Sequence, residues 1–193
     1  VASAAMYQYR KSQTGLLAVL PCSMAYMPLS HFVGDEQLCS LVRRIDGLED
    51  LETERRRIHT RRFDTRDPVG QVEFIFDLGN WGPNYQADPW SDKKYGTILQ
   101  VLQYPLSKGH IHIGGAAPGT RPGSSEPPTI DPRYYGGGGG AVDFDVMVQC
   151  ARFADTICRT EPLARLVRSR VSPPPAVASE DAWRSWVRDQ TVS

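Results

Sequence analysis

The stretch that decides the fold is GQVEFIFDLGNWGPNY, residues 70–85. Alternate side chains of a strand point to opposite faces of its sheet, and VEFIFD has this period of two. One face would carry Val72, Phe74 and Phe76, and the other would carry Glu73, Ile75 and Asp77. We therefore predict a β-strand over 72–77, followed by a polar, aromatic loop that carries Trp81, Tyr85 and Trp90.

The segments around this strand predict a second strand and several helices. TILQVLQY, residues 97–104, is a further strand candidate. Apolar residues at helical spacing predict a helix from Asp35 and a long amphipathic helix over 141–158. Ser179, followed by two acids, is a typical N-cap for a last helix. Because strands and helices do not alternate as in βαβ units, we expect an α+β domain with a mainly antiparallel or mixed β-sheet covered by helices.

Composition and charge exclude several classes of partner. The chain has 193 residues, with 22 Lys and Arg balanced by 22 Asp and Glu, so its net charge does not attract nucleic acid or an anionic membrane. No apolar run approaches the roughly 18 residues of a membrane span. The arginine-rich segment 55–62 follows four acidic residues, which favours a solvated helix face. The first residues, VASAAMYQYR, read as the middle of a helix, so we expect a piece of a longer protein.

A second stretch, YPLSKGHIHIGGAAPG at 104–119, places His110 and His112 on one face of a short strand. A metal site would need a third ligand nearby, and the next acid along the chain is Glu126. The glycine run 136–140 carries no Lys-Ser or Lys-Thr and follows no predicted strand, so it indicates a flexible joint rather than a phosphate loop. The histidines are therefore expected to be strand residues, with no metal bound.

Two motifs, in this order, resemble the hallmark of the glucose–methanol–choline family of flavin oxidoreductases. The first is Pro-x-Ser-Arg/Lys-Gly before a short apolar strand, matched by Pro105, Ser107, Lys108, Gly109, Ile111 and Ile113. The second is Pro-x-Ile-Asp-Pro-x-Tyr before a helix, matched by Pro128, Ile130, Asp131, Pro132 and Tyr134. The resemblance extends over nearly all of the chain within the substrate-binding half of the family. The five glycines and the long loop at 78–96 depart from the family pattern.

The resemblance implies that residues 1–193 form a substrate-binding domain. Members of the family oxidise an alcohol by transferring a hydride to FAD, which a separate FAD-binding domain of the same protein holds. It therefore implies a small-molecule alcohol as substrate and the protein's own FAD-binding domain as partner. The chain contains no G-x-G-x-x-G fingerprint and no His-Pro-x-Gly-Thr segment with the catalytic histidine. We expect this chain alone to be inactive.

The resemblance also implies roles for the residues around 72–77. It assigns to Glu73 the carboxylate that supports the second active-site residue of the family, a histidine or an asparagine. A carboxylate between apolar neighbours must be hydrogen-bonded or hydrated. The alternative to this role is therefore an edge strand in which Glu73 faces water. Ile75 and Asp77 share its face and are candidate substrate-binding residues, while Trp81 either covers the substrate or packs. A free-standing, non-catalytic β-sheet binding module is the alternative function.

Overall fold

The computed structural model describes residues 2–15, 17–18, 22–81, 94–113 and 127–192. These residues form five α-helices, two 3₁₀ turns and five strands, which confirms the α+β class. In chain order they are α1 (Ala2–Ser12), β1 (Cys22–Met27), a 3₁₀ turn (Leu29–His31), α2 (Asp35–Asp46), α3 (Thr53–Arg61), β2 (Val72–Asp77), β3 (Thr97–Leu102), β4 (His110–His112), β5 (Thr129–Asp131), α4 (Gly140–Cys158), a second 3₁₀ turn (Leu163–Arg165) and α5 (Glu180–Gln190).

The larger sheet is antiparallel with the order β1-β2-β3, so β2 lies in its centre. Glu73 is paired with Tyr26 of β1 on one side and with Val101 of β3 on the other. The alternative that placed Glu73 on an edge strand in water is therefore wrong. A second antiparallel pair joins β4 to β5, and the sequence analysis did not predict β5.

The core lies on the face of the sheet that carries Val72 and Phe74, because α2 and α4 cover that face. The ring of Phe74 meets the rings of Phe32 and Phe153 edge to face, with centroids 5.8 and 5.6 Å apart. Phe32 and Phe153 stack on each other at 4.5 Å. Such aromatic contacts add about 0.5–1.5 kcal/mol each to the burial of apolar area. Fully buried aliphatic side chains complete this cluster: Leu29, Leu38, Leu41, Ile45, Val72, Val142 and Val146.

Helix α4 is buried on two sides rather than along one stripe. Beyond the residues that pack on the sheet, Phe144, Val148 and Ala151 form a second cluster with Trp183 and Val187 of α5. Ser179 caps α5 as expected, because its hydroxyl accepts a hydrogen bond from the Ala182 amide at 3.2 Å. Among the residues described, no helix is both long and apolar enough to cross a bilayer.

The glycine run 136–140 before α4 packs closely against neighbouring segments of the same chain, and it is not a flexible joint. A Cβ on Gly140 would overlap the carbonyl of Tyr135, and one on Gly139 would overlap the Leu106 side chain. Gly137 has φ of +73°, a conformation that glycine adopts at little cost. The expectation of flexibility is wrong because the missing side chains serve close packing here.

Candidate functional site

The candidate site is the face of the larger sheet opposite Phe74, which we call the outer face. The strand register places on it Met24, Tyr26, Glu73, Ile75, Asp77, Thr97, Leu99 and Val101. Met24 is 56% exposed and Tyr26 is 61% exposed, so this end of the face is open in the part of the chain that the structure describes. It is an apolar surface that carries two acidic side chains.

Glu73 accepts a hydrogen bond from Gln103, just after β3, and faces Tyr26 of β1. Only 7% of the residue is exposed, and Gln103 Nε2 donates a hydrogen bond to its Oε2 at 2.5 Å. Tyr26 lies directly opposite Glu73 in the antiparallel register. The charge of Glu73 and its hydrogen bond with the phenol raise the pKa of Tyr26 above its ordinary value. The requirement that a buried carboxylate be paired is met by these two neutral donors.

Ile75 and Asp77 continue the same face along β2, and the loop that carries Trp81 follows this strand. Asp77 is 6% exposed, and its Oδ1 is buried without a hydrogen-bond partner in the described part of the chain. At about 3.3 Å per residue, Asp77 lies about 13 Å along the strand from Glu73, with Ile75 between them. The backbone amide of Trp81 donates to Thr97 Oγ1 at 3.3 Å, which fixes the loop to β3 beside Asp77.

Trp81 is 61% exposed, so it is not packed into either core cluster. Tyr85 and Trp90, which the sequence also placed in this loop, lie outside the described residues.

Ser107 of the first motif has a structural role. Asp143, in the first turn of α4, accepts hydrogen bonds from the Leu106 amide at 2.9 Å, the Ser107 amide at 2.7 Å and the Ser107 hydroxyl at 2.6 Å. Only 3% of Asp143 is exposed, and burial raises the pKa of its carboxyl although these hydrogen bonds oppose the shift. This contact attaches the turn before β4 to the start of α4.

Gly109 and the histidines connect the first motif to the second. A Cβ on Gly109 would overlap the carbonyls of Asp131 and Pro132, so the two motifs meet where only glycine fits. His110 pairs with Asp131 across β4 and β5, and its Nδ1 lies 3.8 Å from the Asp131 carboxylate. In the ranges that the structure describes, no three His, Cys, Asp or Glu side chains form a metal-binding group. His110 and His112 are strand residues.

A small cavity lies on the core side of the sheet, near the start of β2. Its volume is about 20 Å³, enough for one water molecule, and its lining includes His59, Arg62, Gln71 and Asp143. His59 is 9% exposed. Burial, together with the charges of Arg62 and Arg55, lowers the pKa of His59 to about 4. The cavity is too small for an alcohol substrate.

Comparison with known proteins relates part of this chain to fungal dehydrogenases. "Dehydrogenase mpl7" of Monascus purpureus and "Dehydrogenase citC" of Monascus ruber are each 35% identical to it over 98 residues. The matched residues are 50% of this chain but only 14% of each relative, so the comparison covers a small part of those proteins. No family model matches the chain, and no solved structure matches it significantly. The chain thus contains an oxidoreductase-related region.

Sequence reasoning found the residues of β2 but missed the two residues that contact Glu73. Tyr26 comes from β1 and Gln103 follows β3, and neither position carries a motif. The available signal was the alternation of CSMAYM, which puts Met24 and Tyr26 on one face. That alternation does not reveal which residue of β2 lies opposite Tyr26, because register is set by the assembled sheet.

Proposed function

We propose that this chain is the substrate-binding domain of an FAD-dependent oxidoreductase of the glucose–methanol–choline type, which oxidises an alcohol to an aldehyde or ketone. The observation that carries the proposal is Glu73, a nearly buried, hydrogen-bonded carboxylate in the central strand of a sheet face that is open at Met24 and Tyr26. Globular proteins rarely bury a glutamate side chain. The two motifs and the partial similarity to fungal dehydrogenases support the same proposal.

In this proposal the outer face forms one wall of the substrate site. Glu73 supports a neighbouring hydrogen-bonding group, and Ile75, Asp77 and Trp81 contact the alcohol. Ile75 and Asp77 suit that task because they share the face of Glu73, with Asp77 about 13 Å away along the strand, and the Trp81 backbone is fixed to Thr97 opposite Asp77. The protein's own FAD-binding domain is the partner that would face this wall.

The described residues of this chain do not fit FAD itself. A dinucleotide site needs a strand, a glycine turn and a helix whose free amides face the pyrophosphate. The glycine run leads into α4, but Leu106 and Tyr135 already occupy the space beside Gly139 and Gly140. Asp143 adds a buried carboxylate in that first turn, which would repel a phosphate. The cofactor is therefore proposed to be bound outside this chain.

The second candidate is a free-standing, non-catalytic binding module that uses the same outer face. The observation that favours it is the apolar exposure of Met24 and Tyr26 together with the poor fit of the described residues to a flavin. Large exposed apolar patches are typical of interaction surfaces as well as of ligand sites.

One experiment separates the two functions. The complete product of the gene is purified and its absorbance spectrum is recorded before and after anaerobic addition of a series of alcohols. Bound flavin that is bleached by an alcohol supports the oxidoreductase. A protein without flavin, or one whose flavin no alcohol reduces, contradicts it and favours the binding module.

A further inference from the structure

The side chain that reaches the surface at the Glu73 site is Tyr26, not Glu73. Glu73 is 7% exposed, whereas Tyr26, directly opposite in the register, is 61% exposed. Gln103 closes the opposite side of the carboxylate through its hydrogen bond to Oε2. A molecule that rests on the outer face would therefore contact the phenol before the carboxylate.

The chemistry of this pair determines what the phenol can offer to a ligand. A tyrosine hydroxyl has one proton to donate, and an ionised carboxylate can only accept. Tyr26 lies directly opposite Glu73, so its proton can be donated to the carboxylate, and the phenol oxygen then presents its lone pairs to the outside. A charged acceptor behind a hydroxyl strengthens the hydrogen bonds that its oxygen accepts. The exposed group thus suits an O–H donor and disfavours an anion.

Apolar side chains flank Tyr26 along the strands, and the exposed Tyr104 phenol also interacts with it. Met24, two residues along β1, is 56% exposed, and Ile75 lies opposite Met24 on β2. Val101, on the other side of Glu73, is 38% exposed. A polyol would leave most of its hydroxyls without partners on these side chains, and that would cost it affinity.

We infer that Tyr26 is the residue that binds the substrate hydroxyl, and that the substrate is a largely apolar alcohol. The alcohol donates its O–H hydrogen bond to the Tyr26 oxygen while its hydrocarbon part covers Met24 and Ile75. Glu73 is a positioning residue that acts through Tyr26. This inference rests on the proposed function, which supplies the alcohol as the substrate class.

The test compares an alcohol with its methyl ether, which has a similar shape but no donor. Dissociation constants of benzyl alcohol and benzyl methyl ether are measured by calorimetry on the complete gene product and on its Tyr26→Phe variant. Loss of one hydrogen bond should weaken alcohol binding about five- to tenfold and leave ether binding within about twofold. Tyr9→Phe, an exposed tyrosine on α1, is the matched control.

The inference is overturned if Tyr26→Phe changes the dissociation constants of both ligands equally or changes neither of them. It is also overturned if glycerol binds more tightly than benzyl alcohol. Rates of alcohol oxidation by the same samples are read separately. Selective loss of alcohol binding in a protein that oxidises no alcohol would support the binding role of Tyr26 and reject the proposed reaction. A titration of the Tyr26 phenol in a Glu73→Gln background gives an independent measure, since its pKa should return towards 10.

Discussion

At the scale of single residues, Glu73 illustrates how a carboxylate is retained inside an apolar surface. Burial penalises a carboxylate unless it is hydrogen-bonded, and Gln103 donates such a bond to Glu73 while Tyr26 lies opposite it. The alternation of VEFIFD was enough to place Glu73 on the face shared with Ile75 and Asp77. It could not reveal the donors, because both come from other parts of the sheet.

Replacing Glu73 by Gln should slow alcohol oxidation by the complete gene product about tenfold or more. The substitution keeps the shape of the side chain but removes the charge that, in our proposal, supports the reacting groups. A positioned acid–base partner typically increases a reaction rate by a factor of about 10² to 10⁴. The rate is measured across the pH range by stopped-flow spectroscopy. Glu54→Gln, on the exposed face of α3, is the control. Unchanged rates at every pH would remove Glu73 from the site.

His59 should make the fold sensitive to mild acid. Its pKa is about 4 in the folded protein and 6.5 in the unfolded chain, so the unfolded state takes up the proton first. Its contribution to stability is complete above pH 6.5 and is lost as the pH falls towards 4, by about 2–3 kcal/mol. Urea unfolding at several pH values measures this slope. His59→Gln should flatten it, whereas the exposed His112→Gln should not; equal slopes in all three proteins would contradict the assignment.

At the scale of elements, the turn before β4 is fixed to the start of α4 by Asp143. Ser107→Ala removes one of its three hydrogen bonds and should lower the free energy of unfolding by about 1 kcal/mol. Asp143→Asn replaces one carboxylate oxygen by an NH2 group, which then faces a buried N–H donor, and should cost about 2–4 kcal/mol. Urea unfolding of both variants and their double mutant measures the coupling. Ser185→Ala on the exposed side of α5 is the control, and purely additive losses would argue against a direct contact.

The helices were more predictable than the smaller sheet. The bounds of α2, α4 and α5 follow from apolar spacing and from the cap at Ser179, which are local signals. The second buried side of α4 was missed because its partner, α5, lies far along the chain and a single stripe already explained the spacing. Strand β5 was missed because three residues, TID, carry too short a pattern to be recognised without their partner β4.

At the scale of the whole molecule, the sequence indicated which side of β2 faces the core but not what packs against it. One face carries Val72, Phe74 and Phe76, whereas the other carries two acids, Glu73 and Asp77. The rings of Phe32 and Phe153 occupy the Phe74 side, and they come from distant parts of the chain. The outer face stays available as a result, and both candidate functions depend on that.

The 193-residue chain should bind no flavin by itself. Its sequence lacks the dinucleotide fingerprint, and the space beside the glycine run that precedes α4 is filled by Leu106 and Tyr135. Titration with FAD should therefore leave the flavin fluorescence equal to that of free FAD and should not raise the melting temperature, since a ligand stabilises only the state that binds it. The complete gene product is the positive control. A stoichiometric flavin spectrum of the 193-residue chain would show that this chain holds the cofactor itself, and the separation between a substrate-binding chain and a flavin-binding domain, on which the proposed function depends, would then have to be abandoned.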